Sequence, residues 1–185
     1  MISQTVFPGA SAAPEVVAVA EKAMWYAVYT RSRFEKKVFA SLQRADFQVF
    51  LPLIKEKRRW SDRFQTVEAP LFPGYVFVRA CAQRRQQVYY HPGVVRLVGF
   101  EGKPCEIREA EIMLMEKIVA HGLSACSEPA RCATGDQVRV VRGPLKGWEG
   151  TVMTLKGQSR IRFEITGILQ GVSVELDLGN VELLI

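Results

Sequence analysis

The sequence holds little that binds metal or carries redox chemistry. Among its 185 residues are two histidines, His91 and His121, and four cysteines, Cys81, Cys105, Cys126 and Cys132. No pair of cysteines has Cys-x-x-Cys spacing and neither histidine completes a ligand pattern with them. Zinc is therefore disfavoured, and free thiols of a reducing, cytoplasmic compartment are expected. No metal and no cofactor is expected. No apolar run approaches the roughly 20 residues of a membrane helix, so no membrane contact is expected. The first 23 residues have no basic residue before Lys22 and no sustained apolar stretch beyond residues 16–20, which argues against a secretory signal peptide. There is also no glycine loop to cradle phosphate and no nucleophile spaced from a base. Acids such as Asp62 and Glu68 are scattered, so a small nuclease or nucleotide hydrolase is a poor reading and the chain is not expected to be an enzyme.

What is present is an ordinary globular composition, 48% apolar and 24% charged, in a chain long enough for one ample domain or two compact ones. The net charge of +6 is unevenly placed. Residues 31–63 carry ten Lys or Arg against four Asp or Glu, whereas residues 64–185 carry fourteen against thirteen. A solvated face is the ordinary reading of a charge run. Its concentration in about thirty residues also fits a surface held near phosphates.

Residues 1–23 show no convincing period and read as a loose leader. Trp25-Tyr26-Ala27-Val28-Tyr29-Thr30 reads as a strand, and Ser32-x-x-Glu35 has the spacing of a capping box that opens a helix. Phe34, Val38, Leu42 and Ala45 recur at helical spacing as its buried stripe, with Arg31, Arg33, Lys36, Lys37 and Arg44 before it or on its wetter side. Residues 47–51 resume a strand. Residues 54–60 and 64–68 flank the turn signal Ser61-Asp62-Arg63 and predict a basic hairpin whose tip carries Trp60 and Phe64.

Pro70-Leu71-Phe72-Pro73-Gly74-Tyr75-Val76-Phe77-Val78 predicts a central strand entered through a glycine joint. Period-two alternation sets Tyr75 and Phe77 on one face, where core packing is the default. A polar crossover over residues 81–90, a strand over 94–98, a turn over 99–104 and a helix over 108–120 follow. That helix has Ile112, Met115, Ile118 and Val119 on one side and Glu109 and Glu111 in its first turn.

The predicted fold is α+β, a ferredoxin-like, mostly antiparallel sheet with helices over residues 24–121. Residues 122–132, holding Gly122 and Pro129, read as a linker. Over residues 133–185 five short β-branched runs alternate with glycine-bearing turns and predict a small SH3-like β-barrel. Its glycines and Pro144 oppose any helical state, at about 1 and 3 kcal/mol each.

These residues carry a family likeness. The strand at 25–30, Phe34-Glu35-Lys36-Lys37-Val38, Phe72-Pro73-Gly74-Tyr75 and Pro92-Gly93-Val94-Val95 resemble the amino-terminal (NGN) domain of NusG-family transcription elongation and antitermination factors. Gly135-Asp136-Gln137-Val138-Arg139-Val140 and Gly143-Pro144-Leu145-Lys146-Gly147-Trp148-Glu149-Gly150-Thr151-Val152 resemble the KOW motif of the second domain. The likeness covers residues 24–185. It implies a non-enzymatic, monomeric factor that rides on RNA polymerase, suppresses pausing and promotes antitermination. The polymerase clamp helices would dock on Trp25, Tyr75, Phe77 and Phe100. Arg84, Arg85, Gln86 and Gln87 would meet the opposite pincer of the cleft. Arg31, Lys37 and Arg44 would touch the non-template DNA strand, and the KOW domain would recruit Rho, a ribosomal protein or RNA. The docking reading requires the Tyr75 and Phe77 face of the sheet to lie uncovered.

The chain departs from the housekeeping factor at Thr166-Gly167-Ile168-Leu169-Gln170-Gly171-Val172-Ser173-Val174-Glu175-Leu176, which lacks the family's Gly-Arg-x-Thr-Pro-Val-Glu-Leu run. That favours an operon-specific paralogue of the UpxY kind, associated with surface polysaccharide genes. The rival reading is a KOW-type RNA-binding or ribosome-associated protein using Arg139, Arg142, Lys146, Lys156, Arg160 and Arg162.

Overall fold

The computed structural model describes residues 22–60, 63–123, 125–129, 135–155, 158–166, 168 and 170–184. Residues 1–21 of the expected leader, the hairpin turn at 61–62, residues 124 and 130–132 of the expected linker and residues 133–134 after it lie outside the described residues. In chain order the elements are β1 (Met24–Thr30), α1 (Glu35–Arg44), β2 (Gln48–Phe50), β3 (Leu53–Trp60), β4 (Arg63–Pro70) and β5 (Tyr75–Ala80). A 3-10 turn (Arg85–Tyr90) leads to β6 (Val94–Leu97), the short strands β7 (Gly99–Phe100), β8 (Lys103–Pro104) and β9 (Glu106–Ile107), and α2 (Glu109–Ala120). The second half holds β10 (Ala125–Pro129), β11 (Gln137–Val140), β12 (Glu149–Leu155), β13 (Gln158–Glu164), β14 (Gln170–Glu175) and β15 (Val181–Leu183).

The architecture is mixed α and β, with antiparallel sheets and few helices. The first sheet runs β2-β5-β1-β6, with β9 also pairing β1. β1 and β5 pair from Met24↔Ala80 to Tyr29↔Tyr75, so the aromatic strand lies centrally as its sequence predicts. Its entry depends on Gly74, whose φ of 84 belongs to the left-handed region and where an added Cβ would come within 3.3 Å of the Tyr29 ring. The predicted capping box does not form. Arg33 is left-handed (φ 64), Phe34 is the N-cap and no side chain caps the helix. Glu35 instead turns its buried carboxylate to the Gly74 N–H, which donates to Oε1 at 2.7 Å. A tertiary hydrogen bond to a carboxylate has replaced a local one and ties the start of α1 to the start of β5.

Val38 and Leu42 of α1 pack on Tyr26, Val28, Val76 and Val78, with Phe47, Val88 and Leu97 around them. Ile112, Met115 and Ile118 of α2 pack on the opposite face, with Trp25, Ala27 and Phe77 of the strands and the neighbouring Leu71 and Phe72. Both faces of the sheet are therefore covered, and the expectation of an open Tyr75 and Phe77 face holds only at its margin. Phe77 is 0% and Trp25 3% exposed.

α2 is also buried on a second side, at Glu111 and Leu114. Its buried arc runs from Leu114 through Ile118, Glu111 and Met115 to Ile112, wider than a single stripe, while Glu109, Met113 and Glu116 stay exposed. The same core continues into Val138, Val140, Leu145, Ile161, Phe163, Ile165, Ile168, Val172 and Val174 of the second half. Glu111 Oε1 accepts from Arg108 Nη2 at 2.6 Å and from Thr166 Oγ1 and N at 2.6 and 3.2 Å, bridging the helix to the turn after β13.

The second sheet runs β10-β14-β13-β12-β11-β15. The five expected strands are present, and a sixth, β10, is built from residues expected to be linker. It pairs antiparallel with β14 from Ala125↔Val174 to Pro129↔Gln170.

Candidate nucleic-acid interface and docking surface

The amphipathic pattern of α1 points Val38 and Leu42 into the core and so turns Lys37, Ser41 and Arg44, at i, i+4 and i+7, outward along one stripe. These three, with Phe34, Lys36, Ala40 and Pro92, line a shallow groove of ≈ 410 Å³. Phe34 is fixed against the 92–93 turn. Gly93 has φ 97, and a Cβ there would come within 2.6 Å of the Phe34 ring. The Lys37 ammonium lies 4.9 Å from the centre of that ring. Below the groove, Ser41 Oγ is 2.8 Å from His91 Nδ1. Burial holds His91 below its ordinary 6.5, so the neutral ring is favoured.

Three cations around an aromatic wall make a site for a polyanion with flat faces, pairing phosphate and stacking a base. Of the residues expected to touch nucleic acid, Lys37 and Arg44 share this groove. Arg31 is exposed in the preceding turn, its N–H bonded to Gly93 O at 2.8 Å. Phe34 and Lys36 were legible only as stripe and charge, and Pro92 becomes a wall only in three dimensions.

The residues expected to dock the polymerase are divided. Trp25 is covered and its Nε1 donates to Glu109 Oε2 at 3.1 Å. Phe77 lies between Phe50 and Phe72, at 6.2 and 6.0 Å between ring centres. Tyr75 is half-buried, 5.5 Å from the exposed Tyr29, whose ring has the Arg96 guanidinium 5.8 Å away. Burial, with the Tyr29 hydroxyl adding to it, raises Tyr75 above the ordinary 10.0. Phe100 is 78% exposed at the tip of the β7–β8 turn.

Arg84 and Arg85 are engaged within the fold. Arg84 donates to Ala45 O at 2.9 Å and lies 4.3 Å above the Phe47 ring, closing the C-terminus of α1 where free carbonyls and the helix dipole favour a cation. Arg85 donates to Tyr26 Oη at 3.2 Å, and Tyr26 to Glu106 Oε1 at 3.4 Å. Gln86 and Gln87 are exposed.

The second sheet offers less basic surface than its sequence implies. Arg160 and Arg162 are 6% and 1% exposed, and Arg139 forms a 2.6 Å ion pair with Glu149. Arg142 and Lys146 are exposed, and Lys156 lies outside the described residues. Among the described residues no group of three or more His, Cys, Asp or Glu is placed to hold a metal ion, and no helix is long and apolar enough to cross a membrane.

The family model described as transcription termination factor nusG matches residues 23–116, just over half of the chain. The chain belongs to the NusG family. It is 28% identical over 180 residues to the transcription termination/antitermination protein NusG of Thermus thermophilus, covering 85% of this chain and 96% of that one. It is likewise 28% identical over 170 residues to the Staphylococcus aureus NusG, covering 83% and 92%. The solved structure "Domain interaction in Thermotoga maritima NusG" shares the fold with a TM-score of 0.56 at 23% identity, covering 87% of this chain and 97% of that one. These relatives are named as transcription proteins and not as enzymes. The matched region holds β1, α1 and its groove, and most of α2.

Proposed function

We propose that this NusG-family chain is a transcription elongation and antitermination factor that binds RNA polymerase and suppresses pausing. In this reading residues 24–121 are a ferredoxin-like NGN domain, residues 122–132 connect it, and residues 133–185 are an SH3-like KOW domain with a further strand from the connection. The observation that carries the reading is the groove of Lys36, Lys37, Arg44 and Phe34, set within the region that matches the NusG family. It suits an exposed strand of DNA, while Tyr29 and Tyr75, at paired ends of the two central strands, and the exposed Phe100 suit the clamp helices. A protein that binds the closed clamp more tightly than the open one shifts the population away from the paused form by that difference in affinity. The missing Thr-Pro run near Gln170 supports an operon-specific role of the UpxY kind.

The test is terminator readthrough by a purified polymerase with and without the protein. Tyr75→Ala with Phe100→Ala is expected to abolish polymerase binding and readthrough together, without disturbing the covered Phe77. Lys37→Ala with Arg44→Ala is expected to weaken retention on a paused complex in a salt-sensitive way while polymerase affinity is kept. Unaltered readthrough by both folded variants would end this assignment.

A further inference from the structure

β3 and β4 form a two-stranded sheet of their own, and among the described residues no third strand pairs with either of its outer edges. A lone two-stranded ribbon is marginal in water unless one side packs on something. The inner side carries the half-buried Ile54 and Val67 and the buried Ala69. At the base of the ribbon a groove of ≈ 860 Å³ separates it from the last turn of α2. Leu51, Leu53 and Ile54 line the groove from the ribbon side, and Ile118, Val119 and Leu123 from the helix side. All of these but Ile118 are half-buried, so apolar surface lies open to the groove. Pockets of roughly 300–1,000 Å³ enclose a compact apolar group. Of the charged residues along this one, Glu68 is met by Lys36 at 3.9 Å and Glu56 is engaged in an interaction, while Lys55 is exposed.

We propose that this groove holds residues 16–20 of the same chain, Val-Val-Ala-Val-Ala, which precede β1. That run is the longest apolar stretch among the residues outside the described ones. It is bracketed by Glu15 and Glu21, acids that match the exposed Lys55. Its reach is sufficient. Trp25 Nε1 donates to Glu109 Oε2 at 3.1 Å, so β1 and α2 start side by side. The groove lies at the far end of the helix, about ten residues or 15 Å along it, and across β5 to β2, two strand spacings or about 10 Å. The straight path is thus about 18 Å. Counted back from Met24, an extended chain attains about 14 Å at Ala20 and about 27 Å at Val16, which brackets that distance. So short a tether keeps the run at a local concentration on the order of millimolar, at which even a weak contact is occupied. In place, the run straps the ribbon to the end of α2 and closes the groove to other apolar partners.

The test uses the full chain. Ala18→p-benzoylphenylalanine is irradiated and the point of attachment read by mass spectrometry; it is expected within residues 51–56 or 118–125 of the same copy. Val119→Ser/Leu123→Ser, on the helix side of the groove, is expected to lower that yield about threefold or more. Hydrogen exchange gives a second readout. Val16→Ser/Val17→Ser/Val19→Ser is expected to speed exchange of the amides of residues 53–56 and 66–69 by about fivefold or more, with those of α1 unchanged. Val6→Ser/Phe7→Ser, at apolar residues farther from β1, is expected to exchange as the parent does, and a rise there in place of the first variant overturns the choice of run. Attachment between two copies assigns the groove to the leader of a second copy and overturns the strap. Attachment elsewhere in the chain, or none, overturns the site. Unaltered exchange in the folded Val16→Ser/Val17→Ser/Val19→Ser variant overturns the occupant whatever the photoproduct.

Discussion

The two helices are of similar length and lie on opposite faces of one sheet, yet they do opposite work. α1 buries one stripe and gives its other side, with Lys36, Lys37 and Arg44, to solvent. α2 buries Ile112, Met115 and Ile118 against the first sheet and Glu111 and Leu114 on a second side. Each fully buried Ile, Leu or Met contributes about 1.5–3 kcal/mol, so α2 is secured from both directions while α1 keeps a side free for a ligand. A helix with a wide buried arc joins layers, and a helix with a narrow one keeps a side that can carry a site.

The contrast is broken most directly by truncating the outer side of each helix. Leu114→Ala is expected to destabilise the fold by about 2–5 kcal/mol, while Lys37→Ala changes it by less than about 0.5 kcal/mol, both read from urea unfolding. Equal effects would mean that the outer side of α2 is no more packed than that of α1. A smaller loss is expected of Thr166→Val, which removes the 2.6 Å hydroxyl donor to the buried Glu111 carboxylate and leaves the backbone N–H donor. Its cost is about 1–3 kcal/mol, and it should largely vanish when Glu111 is already replaced by Leu, which has no acceptor, as a double-mutant cycle would read.

The smallest effect belongs to the α1 side and concerns pH. Because burial lowers His91 below 6.5 in the folded protein, the unfolded chain binds more protons between the two values. Stability is therefore full above about pH 6.5 and falls as the pH drops through the folded value. His91→Asn should flatten that part of the unfolding profile, and an unaltered slope would remove His91 from the account.

Local pattern was enough for α1, whose Val38 and Leu42 lie where the 3.6-residue period puts them, and for the alternation that sends Val76 and Val78 toward it. It gave the face of Phe77 but not what covers that face. The clue was Leu114, an apolar residue off the stripe of Ile112, Met115, Ile118 and Val119, which only a second layer explains. β10 escaped notice because Ala-Cys-Ser-Glu-Pro has no β-branched or aromatic residue. Its extended state is imposed by the edge of β14. Glu35 satisfied a local capping rule by spacing and a distant backbone amide in fact, and Arg84 read as surface charge because the carbonyls it closes lie 39 residues away in sequence.

The register of β10 also fixes how far the two sheets can part. Four residues, 121–124, separate the end of α2 from the start of β10, a leash of at most about 17 Å when drawn straight. While β10 stays paired, the second sheet is held at high effective concentration beside α2, in addition to the core the two share. A wider excursion requires peeling β10 from β14, pair by pair from the Ala125 end. The chain thus has a short reach set by its connection and a longer one set by five strand pairs in series.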